Sequence, residues 1–171
     1  SSFLYEQASS EACASYKALI TKDIKGVSFV DMTAGCGVDS FALAEIFSQG
    51  VLVEKNTKNA DLLAHNVQIM GQNLEVKNDS AEGFIEQLLD RDRKVSLIYI
   101  DPQRRESSGG KKGLFDFEFC APNILELLPD LAKVTDRVLI KTAPFLDIDK
   151  AVEALGGCFS ACPRIDVHAV Q

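Results

Sequence analysis

The sequence predicts an α/β fold in which a mostly parallel sheet is covered by helices on both faces. Short apolar, β-branched runs alternate with stretches of helical spacing, which is the pattern of βαβ units. The apolar runs are continuous rather than alternating, as expected for strands buried on both faces. With 46% hydrophobic and 25% charged residues among 171, the composition is that of one globular domain.

The elements follow in order from the N-terminus. Ser9 or Ser10 can cap a first helix that runs from about Glu11 to Ile20. The predicted strands are 27–30, 51–53, 74–76, 95–100, 138–140 and 165–170. The helices between them are 38–47, 60–70, 84–89, 124–134 and 148–155, with Pro129 as a possible kink. We therefore expect a helical flank over residues 1–26 and a core over residues 27–171.

One long loop interrupts this regular alternation. It runs from Gln103 to about Asn123 and contains Lys111 and Lys112 in a glycine-rich, basic stretch. A loop of this length inside a compact domain is usually functional or disordered. The two lysines are either a solvated face of the loop or a contact to phosphate.

Net charge, hydropathy and cysteine content indicate which binding partners and which cellular environment the chain suits. The net charge is −7, from 18 basic and 25 acidic residues, so a nucleic-acid-binding surface must be local or lie on another domain. No apolar run approaches the roughly 20 residues of a membrane helix. The five cysteines form no CxxC pair, and we interpret them as reduced thiols of a cytoplasmic protein. The cysteines and two histidines show no metal-ligand spacing, so no metal is expected.

Acidic residues follow four consecutive predicted strands. Because ligands of open parallel sheets bind outside the carboxyl ends of the strands, these residues are expected to lie along one edge. Each residue alone is a weak signal, and their joint occurrence indicates a ligand site. The residues are Asp31, Glu54, Asp79 and Asp101.

A glycine loop follows the first predicted strand. Gly35 and Gly37 allow the backbone to approach a ligand closely, and the next helix presents free N–H groups to an anion. Ser40 stands where a dinucleotide fingerprint would have its third glycine. This difference disfavours an NAD-dependent oxidoreductase.

The acidic residues suit different parts of one ligand. Asp31 suits a cation such as an ammonium, and Glu54 lies near the interval of about 20 residues typical of a ribose-binding carboxylate. Asp79 either accepts from an adenine amine or caps the helix that starts near Ser80. A cation, an anion, a ribose and an adenine together describe S-adenosylmethionine (SAM).

These motifs resemble the first four motifs of class I SAM-dependent methyltransferases over residues 27 to about 171. The resemblance implies a Rossmann-like sheet and cofactor binding by Asp31, Thr33, Gly35, Gly37, Asp39, Glu54 and Asp79. It also implies a seventh, antiparallel strand. Since this chain ends after the sixth predicted strand, we expect a fragment of a longer protein, with an unpaired sheet edge through which copies can associate.

A finer resemblance is to bacterial methyltransferases that carry a C-terminal THUMP-like domain. It depends on five short motifs, namely Glu6-Gln7-Ala8, Asp31-x-Thr33, His65-Asn66, Asp101-Pro102-x-Arg104-Arg105 and Ile140-Lys141. By association it implies an RNA substrate, with the RNA-binding domain absent here.

The fourth motif indicates the chemistry. In related enzymes Asp-Pro-Pro-Tyr holds an amino group of a base, so Asp101 and the Pro102 carbonyl are the expected catalytic acceptors. Gln103 replaces the second proline and Arg104 replaces the aromatic residue. With Arg105 these are the expected substrate-binding residues, and the alternative for the two arginines is a salt bridge to nearby acids.

Two hypotheses of different class remain. The first is a SAM-dependent methyltransferase that acts on an amino group of an RNA base. The second is a SAM-binding domain without catalysis, structural or regulatory, because the fourth motif is altered. A uracil C5 methyltransferase is rejected because it needs a cysteine after the fifth strand, where this chain has Thr142-Ala143-Pro144.

Overall fold

The computed structural model describes residues 8–104, 117–143, 146–158 and 165–168. The helices are α1 (Glu11–Thr21), α2 (Val38–Leu43), α3 (Thr57–Met70), α4 (Ala81–Asp90), α5 (Ile124–Val134) and α6 (Ile148–Cys158). The strands are β1 (Ser28–Asp31), β2 (Gln49–Val53), β3 (Leu74–Lys77), β4 (Leu97–Ile100), β5 (Gln103–Arg104), β6 (Cys120–Ala121) and β7 (Val138–Ile140). A 3₁₀ turn, Phe117–Phe119, precedes β6.

The main sheet has five strands in the order β3-β2-β1-β4-β7, and each neighbouring pair is parallel. From β1 the chain first proceeds outward to β2 and β3, then returns to pair β4 with the other side of β1. The strand order therefore reverses between β1 and β4, which creates a crevice at their carboxyl ends. This topology confirms the predicted α/β class with a parallel sheet.

Helices cover both faces of this sheet. Successive strand residues point to opposite faces, so Val30 and Ile98 pack in one core with α4, α5 and α6. Phe29 and Leu97 pack in a second core with α2 and α3. None of the described helices is long and apolar enough to cross a membrane.

Side-chain caps determine where four of the helices begin. In each case a side-chain oxygen accepts a hydrogen bond from a backbone N–H of the first turn, which satisfies a donor that the helix leaves free. The caps of α3 and α4 explain why these helices start three residues earlier than the apolar periodicity predicts. The capping residues are Ser10, Asn56, Ser80 and Asn123.

The predicted strand 165–170 is wrong over 165–168, and Ala169 and Val170 lie outside the described residues. Instead, this segment lies beside α1, where the Tyr16 hydroxyl is 3.0 Å from His168 Nδ1. The alternation of Ile165 and Val167 does not reflect burial in a sheet, since Val167 is 53% exposed.

The long loop after β4 is closed at its base. Gln103 pairs with Ala121, and Arg104 with Cys120, in an antiparallel two-stranded ladder. The strands β5 and β6 therefore hold together the two ends of a segment that the sequence predicts as one continuous loop. Residues 105–116, which include both loop lysines, lie outside the described residues.

The sequence predicts that Gly50 breaks the helix 38–47, but the structure places this glycine inside β2. The turn after α2 is formed earlier, where the Glu45 and Ile46 N–H groups donate to carbonyls three residues back. A side chain at Gly50 would collide with the Phe29 ring and with Leu74. A glycine at this position therefore allows the edge of the second core to close.

We expect Gly50→Ala to lower the free energy of unfolding by about 1–3 kcal/mol, because the added methyl group overpacks the core. Gly156→Ala is the matched control, since nothing lies within 4 Å of its added Cβ in α6. The control should be neutral or stabilise the chain by up to ~1 kcal/mol through helix propensity. Urea unfolding of both variants measures the difference, and equal effects would contradict this account.

Candidate cofactor and substrate site

The loop between β1 and α2 forms the centre of the candidate site. Gly35 and Gly37 have φ angles of +56° and +92°, which favour glycine. An added Cβ at Gly37 would lie 2.7 Å from Leu63 Cδ1, whereas at Gly35 it would meet nothing within 4 Å. The loop is therefore packed against the protein at Gly37 and open to a ligand at Gly35.

The Asp31 carboxylate lies beneath this loop and is only 1% exposed. Its Oδ1 accepts from the Thr33 N–H at 3.0 Å, and its Oδ2 accepts from the Ser40 hydroxyl at 2.5 Å. Burial raises the pKa of Asp31 to about 7, although both hydrogen bonds oppose the shift. Ser40, the departure from the dinucleotide pattern, thus supports Asp31. The structure gives Asp31 a role in shaping the loop, and its predicted contact with an ammonium stays a prediction.

Glu54 is directed into the same loop from the end of β2. Its Oε2 accepts from the Gly35 N–H at 3.0 Å, and its Oε1 accepts from the Asn56 N–H at 2.8 Å. A carboxylate offers about four lone-pair sites, so two remain available for further donors. Glu54 is therefore oriented by the backbone and can still accept from two hydroxyl groups.

Asp79 follows β3 and lies one residue before the cap of α4. Its Oδ1 accepts from the Ser80 N–H at 2.8 Å, and its Oδ2 accepts from Gln87 Nε2 at 2.6 Å. Ser80, not Asp79, caps the helix by accepting from the Gly83 N–H. Capping, the alternative role for Asp79, is therefore performed by its neighbour, and the predicted adenine contact stays a prediction.

Asp101 is held from two sides of the crevice. Its N–H donates to Thr33 Oγ1 at 2.7 Å, and its Oδ2 accepts from Lys141 Nζ at 2.6 Å. Burial raises the pKa of Asp101 above its ordinary value, and the Lys141 ammonium partly opposes that shift. Pro102 is buried directly after it. Thr33 thus connects the glycine loop to the predicted catalytic residue.

The predicted substrate-binding residues are only partly described. Gln103 is exposed at the start of β5. The backbone of Arg104 lies in the same strand, opposite Cys120, and Arg105 lies outside the described residues. Their contact with substrate therefore stays a prediction.

Asp39 belongs to a buried network that anchors α1. Its Oδ1 accepts from Lys17 Nζ at 2.6 Å, and its Oδ2 accepts from the hydroxyls of Ser9 and Tyr99 at 2.8 and 2.7 Å. Burial alone would raise the pKa of Asp39, but the hydrogen bonds from Lys17 and Tyr99 outweigh it and lower the pKa. The predicted cofactor contact of Asp39 is untested, and the structure gives it three protein donors.

Sequence reasoning gives no site role to three residues of this region: Lys17, Tyr99 and Lys141. Lys141 enters the sequence analysis only through the Ile140-Lys141 motif, although it follows the fifth predicted strand and the rule applied to the first four strand ends would have placed it at the site. Lys17 and Tyr99 carry no such signal, because a lysine in a helix and a tyrosine in a strand are ordinary. Among the described residues, no group of three or more His, Cys, Asp or Glu could hold a metal ion.

The fold and the site define the class of protein. The chain has the Rossmann-like sheet of methyltransferases, with a glycine loop at the switch point of the sheet. A model of the family described as conserved hypothetical protein 95 matches residues 14–108. The match covers more than half of the chain, and the chain belongs to this family.

The chain is also similar to three known proteins whose names describe methyltransferases. Ribosomal RNA small subunit methyltransferase J of Legionella pneumophila is 29% identical over 88% of the chain. A structure from Porphyromonas gingivalis W83, provisionally described as a methyltransferase, superposes with a TM-score of 0.73 at 25% identity over 88% of the chain. A SAM-dependent methyltransferase from Agrobacterium tumefaciens shares the fold, with a TM-score of 0.63 at 12% identity over 88% of the chain. The chain spans 66%, 36% and 50% of their lengths, respectively.

We expect Lys17→Met to lower the free energy of unfolding by about 3 kcal/mol, because it leaves the Asp39 carboxylate buried without its cation. The side chains of this pair are each 11% exposed. Lys133→Met is the control, since Lys133 and Asp130 are 63% and 42% exposed and should contribute less than ~1 kcal/mol. Chemical unfolding monitored by circular dichroism checks both variants. Similar losses in the two would refute the buried anchor.

Proposed function

We propose that this chain forms the cofactor-binding and catalytic part of a SAM-dependent methyltransferase that acts on an amino group of an RNA base. One observation carries the proposal: at the switch point of the sheet, the Asp31 and Glu54 carboxylates accept from N–H groups of an open glycine loop, and Thr33 of that loop accepts from the Asp101 N–H. The relative named as a ribosomal RNA methyltransferase supports the reaction and the RNA.

The residues at the sheet edge fit SAM. The open side of Gly35 leaves room for the ligand to approach the backbone, and Glu54 retains two acceptor sites for the ribose hydroxyls. The Asp79 carboxylate, oriented by Gln87, would accept from the adenine amine. When bound, SAM supplies a methyl group activated by its sulfonium.

The substrate amine would be held at the end of β4. The Asp101 carboxylate and the Pro102 carbonyl can each accept one N–H of an amino group, which directs the nitrogen lone pair towards the methyl group. Methyl transfer from a sulfonium is downhill, so the main tasks are alignment and exclusion of water. Asp101 therefore acts by positioning, and Gln103, Arg104 and Arg105 would contact the surrounding RNA.

The RNA would need contacts beyond this acidic core. The net charge of −7 opposes phosphate binding, and the chain spans only part of the length of its relatives. The resemblance to methyltransferases with a THUMP-like domain is consistent with a separate RNA-binding module. That module, association through a sheet edge and a cytoplasmic location all remain predictions.

A SAM-binding domain without catalysis is the second candidate. The specific observation in its favour is that Lys141 already donates to one oxygen of the Asp101 carboxylate that would hold the amine. The altered fourth motif, with Gln103 and Arg104, points the same way. Turnover of SAM separates the two functions.

We expect Glu54→Gln to weaken SAM binding about tenfold or more, because a carboxylate is lost and one loop N–H then faces an amide donor. Isothermal calorimetry with SAM and with its demethylated product measures the effect. Glu75→Gln is the control, since Glu75 is an exposed residue of β3 that pairs with Lys77. Unchanged affinity in Glu54→Gln would remove the cofactor assignment.

We expect Asp101→Asn to lower turnover about a hundredfold while SAM affinity stays within a few-fold, since the shape is kept and the charged acceptor is lost. The assay uses labelled SAM and ribosomal RNA from a strain that lacks the protein, followed by mapping of the label. A fully active Asp101→Asn enzyme would show that the amine is held elsewhere. An inert wild type that binds SAM would favour the non-catalytic candidate.

A further inference from the structure

Lys141 and Asp101 meet at the crevice because their strands are neighbours. β4 pairs with β7, and Lys141 directly follows β7 as Asp101 follows β4. Resting on the function proposed above, we propose that Lys141 is a positioning residue for the methyl acceptor. Its ammonium holds the Asp101 carboxylate so that Oδ1 is left to accept from the substrate amine.

The backbone fixes Lys141 more firmly than an ordinary surface lysine. Its N–H donates to the Ile100 carbonyl at 2.9 Å, which extends the β4–β7 pairing by one residue. The side chains of Lys141 and Asp101 are each 29% exposed. The pair Lys150–Asp147, by comparison, is 71% and 41% exposed with a separation of 3.7 Å. The contact at the crevice is therefore both shorter and better shielded from water.

Asp101 is thus held through both its backbone N–H and its side-chain carboxylate. The Thr33 hydroxyl accepts from its backbone N–H, which places the main chain, and the Lys141 ammonium binds its carboxylate. Among the described residues, Lys141 is the only side chain that donates a hydrogen bond to this carboxylate, and it uses Oδ2 alone. This arrangement orients one oxygen, and in the described part of the chain no side chain donates to the other, which is the oxygen that would accept from the substrate amine.

The charges around Asp101 explain why a cation is needed there. Burial and the Asp39 carboxylate of α2 favour the protonated acid, and the ammonium of Lys17 in α1, which pairs with Asp39, opposes them. Asp31 at the end of β1 adds a second nearby carboxyl group. A protonated Asp101 would donate where the amine needs an acceptor. Lys141 is the strongest influence that keeps Asp101 ionised.

The first test needs no RNA and uses the 171-residue chain with carbon-13 at its aspartate carboxyls. NMR follows the titration of Asp101, which is assigned by its loss in Asp101→Asn. We expect Lys141→Met to raise the Asp101 midpoint by at least one pH unit, while Lys141→Arg and the exposed control Lys133→Met leave it in place. Lys141→Gln replaces Lys141→Met if that variant does not fold. An unchanged midpoint after loss of the Lys141 charge would overturn the inference.

The second test uses the natural protein that contains this sequence, with RNA and SAM. We expect Lys141→Met to lower kcat about tenfold at pH 7 and to move the acid limb of its pH profile upward, with an unchanged KM for SAM. Lys141→Arg should restore both. A merely structural lysine would alter stability without moving the acid limb, and that result would overturn this inference alone. If wild-type protein transfers no methyl group to any RNA, the proposed function fails, and the NMR titration still decides whether Lys141 controls Asp101.

Discussion

The buried carboxylate of Asp31 is the interaction on which the rest of the site depends. It accepts from the backbone N–H of Thr33 and from Ser40, and so fixes the glycine loop to the end of β1. The loop in turn contacts the ends of the neighbouring strands, because the Gly35 N–H donates to Glu54 directly after β2 and the Thr33 hydroxyl accepts from the N–H of Asp101 directly after β4. One buried group thereby aligns both sides of the switch point. Its pKa, raised to about 7 by burial, shows the electrostatic cost of that arrangement.

The N-terminal helix is part of this organisation although the sequence presents it as a flank. Lys17 of α1 neutralises Asp39 of α2, and the Tyr99 hydroxyl joins them from β4. A buried ion pair rarely adds much stability over apolar packing, but losing one partner is costly. The pair therefore favours a single docked position of α1, and it places a cation and a carboxylate beside Tyr99, two residues before Asp101.

The sequence was sufficient for the alternation of elements, the parallel sheet and the four acidic strand ends, because burial on both faces leaves continuous apolar runs. Prediction from the sequence failed where the structure depends on caps or on tertiary packing rather than on apolar periodicity. Helix starts follow caps such as Asn56 rather than apolar periodicity, and Gly50 is required by packing against Phe29 rather than by a turn. The segment 165–168 alternates like a strand, yet lies beside α1. The roles of Lys17 and Tyr99 depend on contacts between residues distant along the chain, which no local pattern encodes.

The altered fourth motif is consistent with the way Asp101 is held. In an Asp-Pro-Pro-Tyr motif the second proline restricts the chain after the acceptor. Here the chain after Pro102 enters a strand, and Gln103 and Arg104 pair with β6. Proline cannot donate to a ladder and is confined to strand positions whose N–H is unused, whereas glutamine meets no such limit. The position of Asp101 is instead defined by Thr33 on one side and Lys141 on the other. A change of motif residues therefore need not loosen the acceptor, provided that both of these contacts are kept.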